Sequence, residues 1–429
     1  MRLKFFVVTC LVLAGCFTLL AQPTDTLYST KIRSVKIFRV GDPASYPLLY
    51  LNANEQLELH FDDLDGDVKY YYYSLQLCNA DWLPANLTPF DYWKGFLSNR
   101  ISTYRLSNLV QTRYTHYQAV FPERNSGPTR GGNYLLRVYL NDDTNRIVFT
   151  RRLLVVNKKV SVGGTVLQAF RGDYFQTHQR IQATVNTQGS NLQTLSPQDL
   201  KLTIVQNYNW PLAQTLDRPT IYRSNYYEYS EEETTRFPAG KEWRWVDLRS
   251  LRLRSERVSR IVDSDTSRRI DVYVTPDEDR GRQVYLFYRD LNGLFLTENR
   301  DNPNPWWQSE YAWVHFTYIP PGNRPLVGQR VFLQGEFCGY RPGPGHEMIF
   351  NDSLGVYEGK FYLKQGFYNY RYLAAPDPNP QQVNPRASPI EGDFWGTENH
   401  YLLLLYFRPF GARADELIGA AELRSNFMR

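Results

Sequence analysis

The stretch FDDLDGDVKYYYYSLQL, Phe61 to Leu77, sets four aspartates within six residues just ahead of four consecutive tyrosines. Two readings compete. The carboxylates of Asp62, Asp63, Asp65 and Asp67 could gather round a cation, or they could decorate a turn. A calcium loop of the EF-hand type needs later ligands ending in a glutamate at position 12. Gly66 follows Asp65, but no carboxylate stands at the required later position. Asp and Gly suit turns through side-chain-to-backbone bonds and positive φ, so no metal is expected. On one side Leu57, Leu59 and Phe61 share a parity, with Gln56, Glu58 and His60 on the other. Beyond the aspartates, Tyr71, Tyr73, Leu75 and Leu77 line one face. Period-two alternation on both sides predicts two half-buried strands joined as a hairpin with an acidic tip.

The same texture returns at NYLLRVYLND, RIVFTRRLLVVN, LKLTIVQN, RIDVYVTPD, RQVYLFYRDLNGLF, YAWVHFTYIP, QRVFLQGEF and NHYLLLLYF. Turn residues punctuate it, such as Asn292-Gly293 and Gly131-Gly132-Asn133. Aromatics make up 15% of the chain, and Tyr and Phe favour strands. Helical periodicity is scarce and at best ambiguous, around Arg249 to Ile261. The expectation is an all-β protein of tandem immunoglobulin-like or early-set β-sandwiches. Boundaries are expected near Asn157, where RRLLVVNKKVSVGG passes from one module to the next, and at RDNPNPWWQSE, which reads as a linker. This gives an N-terminal sandwich over 23–157, a middle β-rich domain over 158–308 and a C-terminal sandwich over 309–429. The proline-rich Pro376 to Pro389 reads as a long surface loop.

The first residues, MRLK then an apolar run from Phe5 to Leu13, read as an export signal. Cleavage after Ala21 would give a 1–21 signal peptide. Alternatively Leu13-Ala14-Gly15-Cys16 resembles a lipobox, giving a leader over 1–15 and an acylated Cys16. Either route exports the chain. The formal charge of +5 is too small to argue for nucleic acid.

Residues with chemistry do not assemble into a motif. His60, His116, His178, His315, His346 and His400 are isolated along the chain, and no zinc-ligand spacing, Walker motif, G-x-S-x-G or nucleotide-binding glycine run occurs. Cys78 and Cys338 lie far apart in apolar runs and read as small buried hydrophobes, not a disulfide or a nucleophile. Arg244, Arg249, Arg252, Arg254, Arg257 and Arg260 share neither one strand parity nor one helical face. They read as a solvated strand and loop, or as bidentate partner contacts. Tyr368, Tyr370 and Tyr372 alternate on a strand; such a row is core packing or a platform for sugar rings. No catalytic, metal-binding or cofactor-binding residue is nominated, the chain reads as no enzyme, and no small-molecule ligand is expected.

Seven phrases together carry a family resemblance. They are LHFDDLDGDVKYYYYSLQLCNADW, YWKGFLSNRISTYRLSNLVQTRYTHYQAVFP, GGNYLLRVY, VQNYNW, FPAGKEWRWVDLRSLR, LKQGFYNYRYL and TENHYLLLLYFRPFGARADELIG. In this order, from about Lys31 to Gly419, they resemble the plug protein of the Bacteroidetes type IX secretion system. Ala414 departs from the aromatic expected in the C-terminal G-x-R-Y-D pattern. The resemblance implies a periplasmic, non-catalytic protein that binds the giant outer-membrane β-barrel translocon and closes its pore when no shuttle partner occupies it. It supplies no interface residues to carry over. The competing reading is an envelope glycan-binding lipoprotein.

Overall fold

The computed structural model describes residues 25–190, 192, 196–264, 269–377 and 390–425. The expected leader and Cys16 lie outside them, as does most of the proline-rich loop. The described residues are nearly all β; their α-helix, Glu232–Thr235, is a single turn. The Arg249 to Ile261 stretch is loop and strand.

Residues 32–156 form a two-sheet sandwich. One sheet runs in the order Ile32–Arg39, Leu57–Asp63, Thr115–Phe121, Thr103–Leu106. The facing sheet runs Leu48–Tyr50, Ile147–Val156, Gly132–Leu140, Tyr71–Cys78, Asn99–Arg100. The expected hairpin is therefore not one. Leu57–Asp63 and Tyr71–Cys78 lie in opposite sheets, and the acidic connection arches between them. Phe61 meets Tyr71 edge-on across the core, 5.1 Å between ring centres. Both strands alternate because each buries one face in the same core, a pattern that a hairpin and an arch share. Tyr71 and Tyr73 point into that core, while Tyr70 is exposed.

A second sandwich packs Ser161–Gln168, His178–Asn186, Tyr226–Tyr229 and Ile221–Arg223 against a sheet ordered Gln214–Leu216, Leu200–Gln206, His400–Phe407, Glu416–Arg424. The third part is a ten-stranded sheet from Arg244–Asp247 to Val258–Ser264, both ends of which feed one apolar core. The expected boundary at 308/309 falls inside this sheet, since Phe295–Leu296 and Tyr311–Ile319 both belong to it. The chain then returns to the second sandwich, where His400–Phe407 pairs along its length with Leu200–Gln206. The reason lies in HYLLLLYF, whose eight residues are all buried. Tyr401, Leu403 and Leu405 face the second sandwich's core. Leu402, Leu404 and Tyr406 face another core, shared with Leu48, Leu135, Leu154 and Val156 of the first sandwich. A strand apolar on both faces must sit between two layers.

RQVYLFYRDLNGLF also departs from expectation. Val284, Leu286 and Phe287 are exposed in an irregular segment with no ladder partner, and only Phe295–Leu296 is strand. Tyr285 and Tyr288 instead donate to the carboxylate and carbonyl of Glu242. Asn292 and Gly293 take the positive φ values (52° and 87°) of a tight turn.

Candidate functional site

The acidic stretch divides into two environments. Asp63, Asp65 and Asp67 bring carboxylate oxygens within 4.8 Å of one another. The Lys69 ammonium stands among them, 2.8 Å from Asp63 and 3.5 Å from Asp67 and also against Asp65. A side-chain cation thus holds the place that an ion would take. Asp63 also accepts from Tyr71 Oη at 2.9 Å, closing the arch.

Asp62 points the other way, out of the first sandwich and toward the ten-stranded sheet, and is wholly buried. Its Oδ1 lies 2.7 Å from His116 Nδ1, and its Oδ2 accepts from Tyr311 Oη at 2.6 Å and from the Lys364 ammonium. Lys364 is also wholly buried, donates to the Trp306 carbonyl and lies 4.4 Å from the centre of the Tyr114 ring. Burial works to raise the Asp62 pKa, but Lys364 and His116 beside it hold it below the usual carboxylate range. One buried ion pair therefore ties the first sandwich to the third part of the fold.

The histidines extend this contact. His60 Nδ1 sits 3.0 Å from His116 Nε2, and His60 Nε2 sits 3.1 Å from Glu58 Oε2. Trp306 stacks on His60 at 3.7 Å between ring centres. The row Asp62–His116–His60–Glu58 makes three contacts, each requiring one proton. Two neutral imidazoles bring only two. Burial pushes the pKa of His116 down to about 4 and lowers that of His60, so the row favours neutral imidazoles over an added proton. These two histidines, isolated in sequence, are 56 residues apart and meet only through strand register. No spacing rule could have joined them. RDNPNPWWQSE is likewise no free linker, because Trp306 caps this polar row.

Other nominated residues fall into place as structure. Tyr368, Tyr370 and Tyr372 are buried in the core, which removes the sugar-platform reading. Arg244 bridges Asp277 and Glu391, Arg257 joins Asp277, and Arg249 pairs with Asp247 and Glu298. The arginine run thus spends half its members on internal ion pairs. Cys78 and Cys338 are free thiols, each pushed up to about 12 by burial, and Cys338 sits on a 3₁₀ turn, not in a strand. Ala414 is buried in the first sandwich's core. Its neighbour Asp415 accepts from the Ala80 amide at 2.9 Å.

Residues 32–157 match the family model described as the type 9 secretion system plug protein 1st domain. A crystal structure described as a hypothetical protein from Parabacteroides merdae ATCC 43184 has 30% sequence identity and a TM-score of 0.88, covering 94% of this chain and 99% of that one. No curated protein matches the chain. The first sandwich, residues 32–157, therefore belongs to the family of first domains of type IX secretion system plug proteins.

Proposed function

We propose that this protein is a non-catalytic gating subunit that binds the periplasmic mouth of the type IX secretion translocon and covers its pore while no shuttle partner is bound. The observation that carries this reading is the plug-domain match over residues 32–157. The architecture supports it physically. A cover needs area and stiffness more than chemistry, and a partly polar protein interface supplies both binding and release. Here the first sandwich is fixed to the rest by a two-sided core, by the buried ion pair Asp62–Lys364 and by the half-buried pair Lys36–Glu336. Tagged protein purified from detergent-extracted envelopes should bring down a very large β-barrel protein. A deletion strain should become more permeable to large antibiotics. Absence of the barrel, together with unchanged permeability, would overturn the reading.

A further inference from the structure

Where the three parts of the fold meet, a cleft of about 610 Å³ opens. Its walls come from the first sandwich (Trp82, Arg152), the second (Lys201, Trp210) and the ten-stranded part (Lys241, Arg341, Arg371). A volume of this size suits a small ligand. Six Lys or Arg side chains line it, against four carboxylates from Asp81, Asp217, Glu391 and Asp393.

The carboxylates neutralise the cations only in part, since Arg280, itself one of the six, pairs with Glu391. Glu391 is taken by Arg244 and Arg280 on its own side. Burial raises the Asp393 pKa, and its carboxylate accepts from the Gly240 amide at 2.7 Å. Among the described residues, Lys201, Lys241, Arg341 and Arg371 have no carboxylate within ion-pair distance. Lys241 donates to the carbonyls of Arg280 and Gln283 at 2.6 and 2.8 Å. Arg371 lies 4.5 Å from the centre of the Trp243 ring and donates to Gln334 at 2.6 Å. Burial, with Arg152 close by, lowers the Arg341 pKa, and burial also lowers those of Lys241 and Arg371. The indole N–H of Trp82, the Tyr340 hydroxyl and the Asn209 Oδ1 are buried in the same walls without partners among the described residues.

Its aromatic faces are already covered. Trp82 and Trp210 pack edge to face with Arg152 over both, and Arg371 covers Trp243. Stacking on a sugar ring therefore has no free platform, which leaves charge as the recognising chemistry. We propose that this cleft binds a compact polyanion, either a phosphate or a small polycarboxylate, and that the bound anion braces the three parts of the fold against one another. No sequence motif announces it, because its cations come from distant segments.

The test titrates the full-length protein with inorganic phosphate and, separately, with citrate, at constant ionic strength, by calorimetry and thermal unfolding. Saturable 1:1 binding with a raised Tm is expected for one of the two, and which one identifies the source of the anionic oxygens. Each charge-assisted contact is worth about 1.5–3 kcal/mol. The double variant K201Q/R341Q should thus bind at least about tenfold more weakly. Neither side chain has a pairing to lose, so the variant should fold with an unaltered circular dichroism spectrum. R371K, which keeps charge but not the fork, should weaken binding less. Equal affinity in wild type and K201Q/R341Q, an adventitious ion only, or no binding of either probe would overturn the proposal. Each of those results leaves translocon capture as a separate question.

Discussion

At the residue scale, Asp62 changes meaning most. Its sequence neighbours place it in an acidic turn, and that reading holds for Asp65 and Asp67, which are exposed. It fails for Asp62 because a residue at a strand end can face either solvent or another layer, and local pattern does not say which. Removing one partner of a buried ion pair leaves an uncompensated charge and costs about 3–5 kcal/mol. D62A and K364A should each lose roughly that much in urea unfolding, whereas D62N/K364M should recover a large part of it. Additive losses in the double variant would show that the two groups act separately. Acid should open the same contact. His116 is held at about 4, below the ordinary imidazole value, so between those two pH values the unfolded chain binds a proton that the folded chain refuses. Stability from this group is therefore full above about pH 6.5 and falls as pH drops toward 4, by at most about 3 kcal/mol. H116Q should flatten that limb of the Tm–pH curve. Asp290 acts with the opposite sign. Burial raises its carboxyl to about 7, so the folded chain keeps a proton that the unfolded chain has released. Its contribution weakens stability as pH climbs from about 4 to 7. D290N keeps an acceptor for only one of the two amides, Trp243 and Asn292, that Asp290 serves through separate oxygens, so its effect on Tm should be less unfavourable at pH 8 than at pH 5.

At the element scale, strands were legible wherever alternation or an apolar run was long, and their partners were not. The Leu57–Asp63 and Tyr71–Cys78 strands were identified correctly, yet an arch and a hairpin present the same alternation, so their pairing was misread. RQVYLFYRDLNGLF fails for a different reason. Its tyrosines Tyr285 and Tyr288 satisfy their hydroxyls on Glu242, and Tyr288 packs on Trp245, so the segment is held by side chains and not by a ladder. HYLLLLYF is apolar at nearly every position, and its eight consecutive buried residues call for packing on two faces, which a terminal module cannot supply alone. Leu403 and Leu404 should accordingly be equally intolerant although they face different cores. L403A and L404A should each cost about 2–5 kcal/mol in denaturant unfolding. A cost near zero for L404A would mean that the two sandwiches separate without penalty.

At the scale of the whole molecule, the family was legible from the order of seven phrases, while the contact surface was not, because exposure depends on the fold and leaves no periodic trace. The fold places large apolar side chains outward on two neighbouring loops, one of the first sandwich and one between the last two strands of the second. Phe90 and Phe96 flank the short Trp93–Lys94 strand, and Phe410 sits in the loop that precedes Ala414. Asp91 and Arg413, 3.8 Å apart, join the two loops. Phe90 is 80% exposed and Phe410 entirely so, whereas Ala414 and Trp93 anchor the same loops in the core. Exposed aromatic side chains on anchored loops are what a protein partner's pockets receive. If the proposed translocon contact lies here, F90S/F96S/F410S should leave Tm within about a degree of wild type, since exposed substitutions each change stability by no more than about 0.5 kcal/mol. Recovery of the large barrel in envelope pull-downs should fall at least about tenfold, the scale of one lost hot spot, and the strain should show the deletion's antibiotic permeability. Undiminished recovery would move the contact to another face, and the exposed Val284–Phe287 segment would be the next to test.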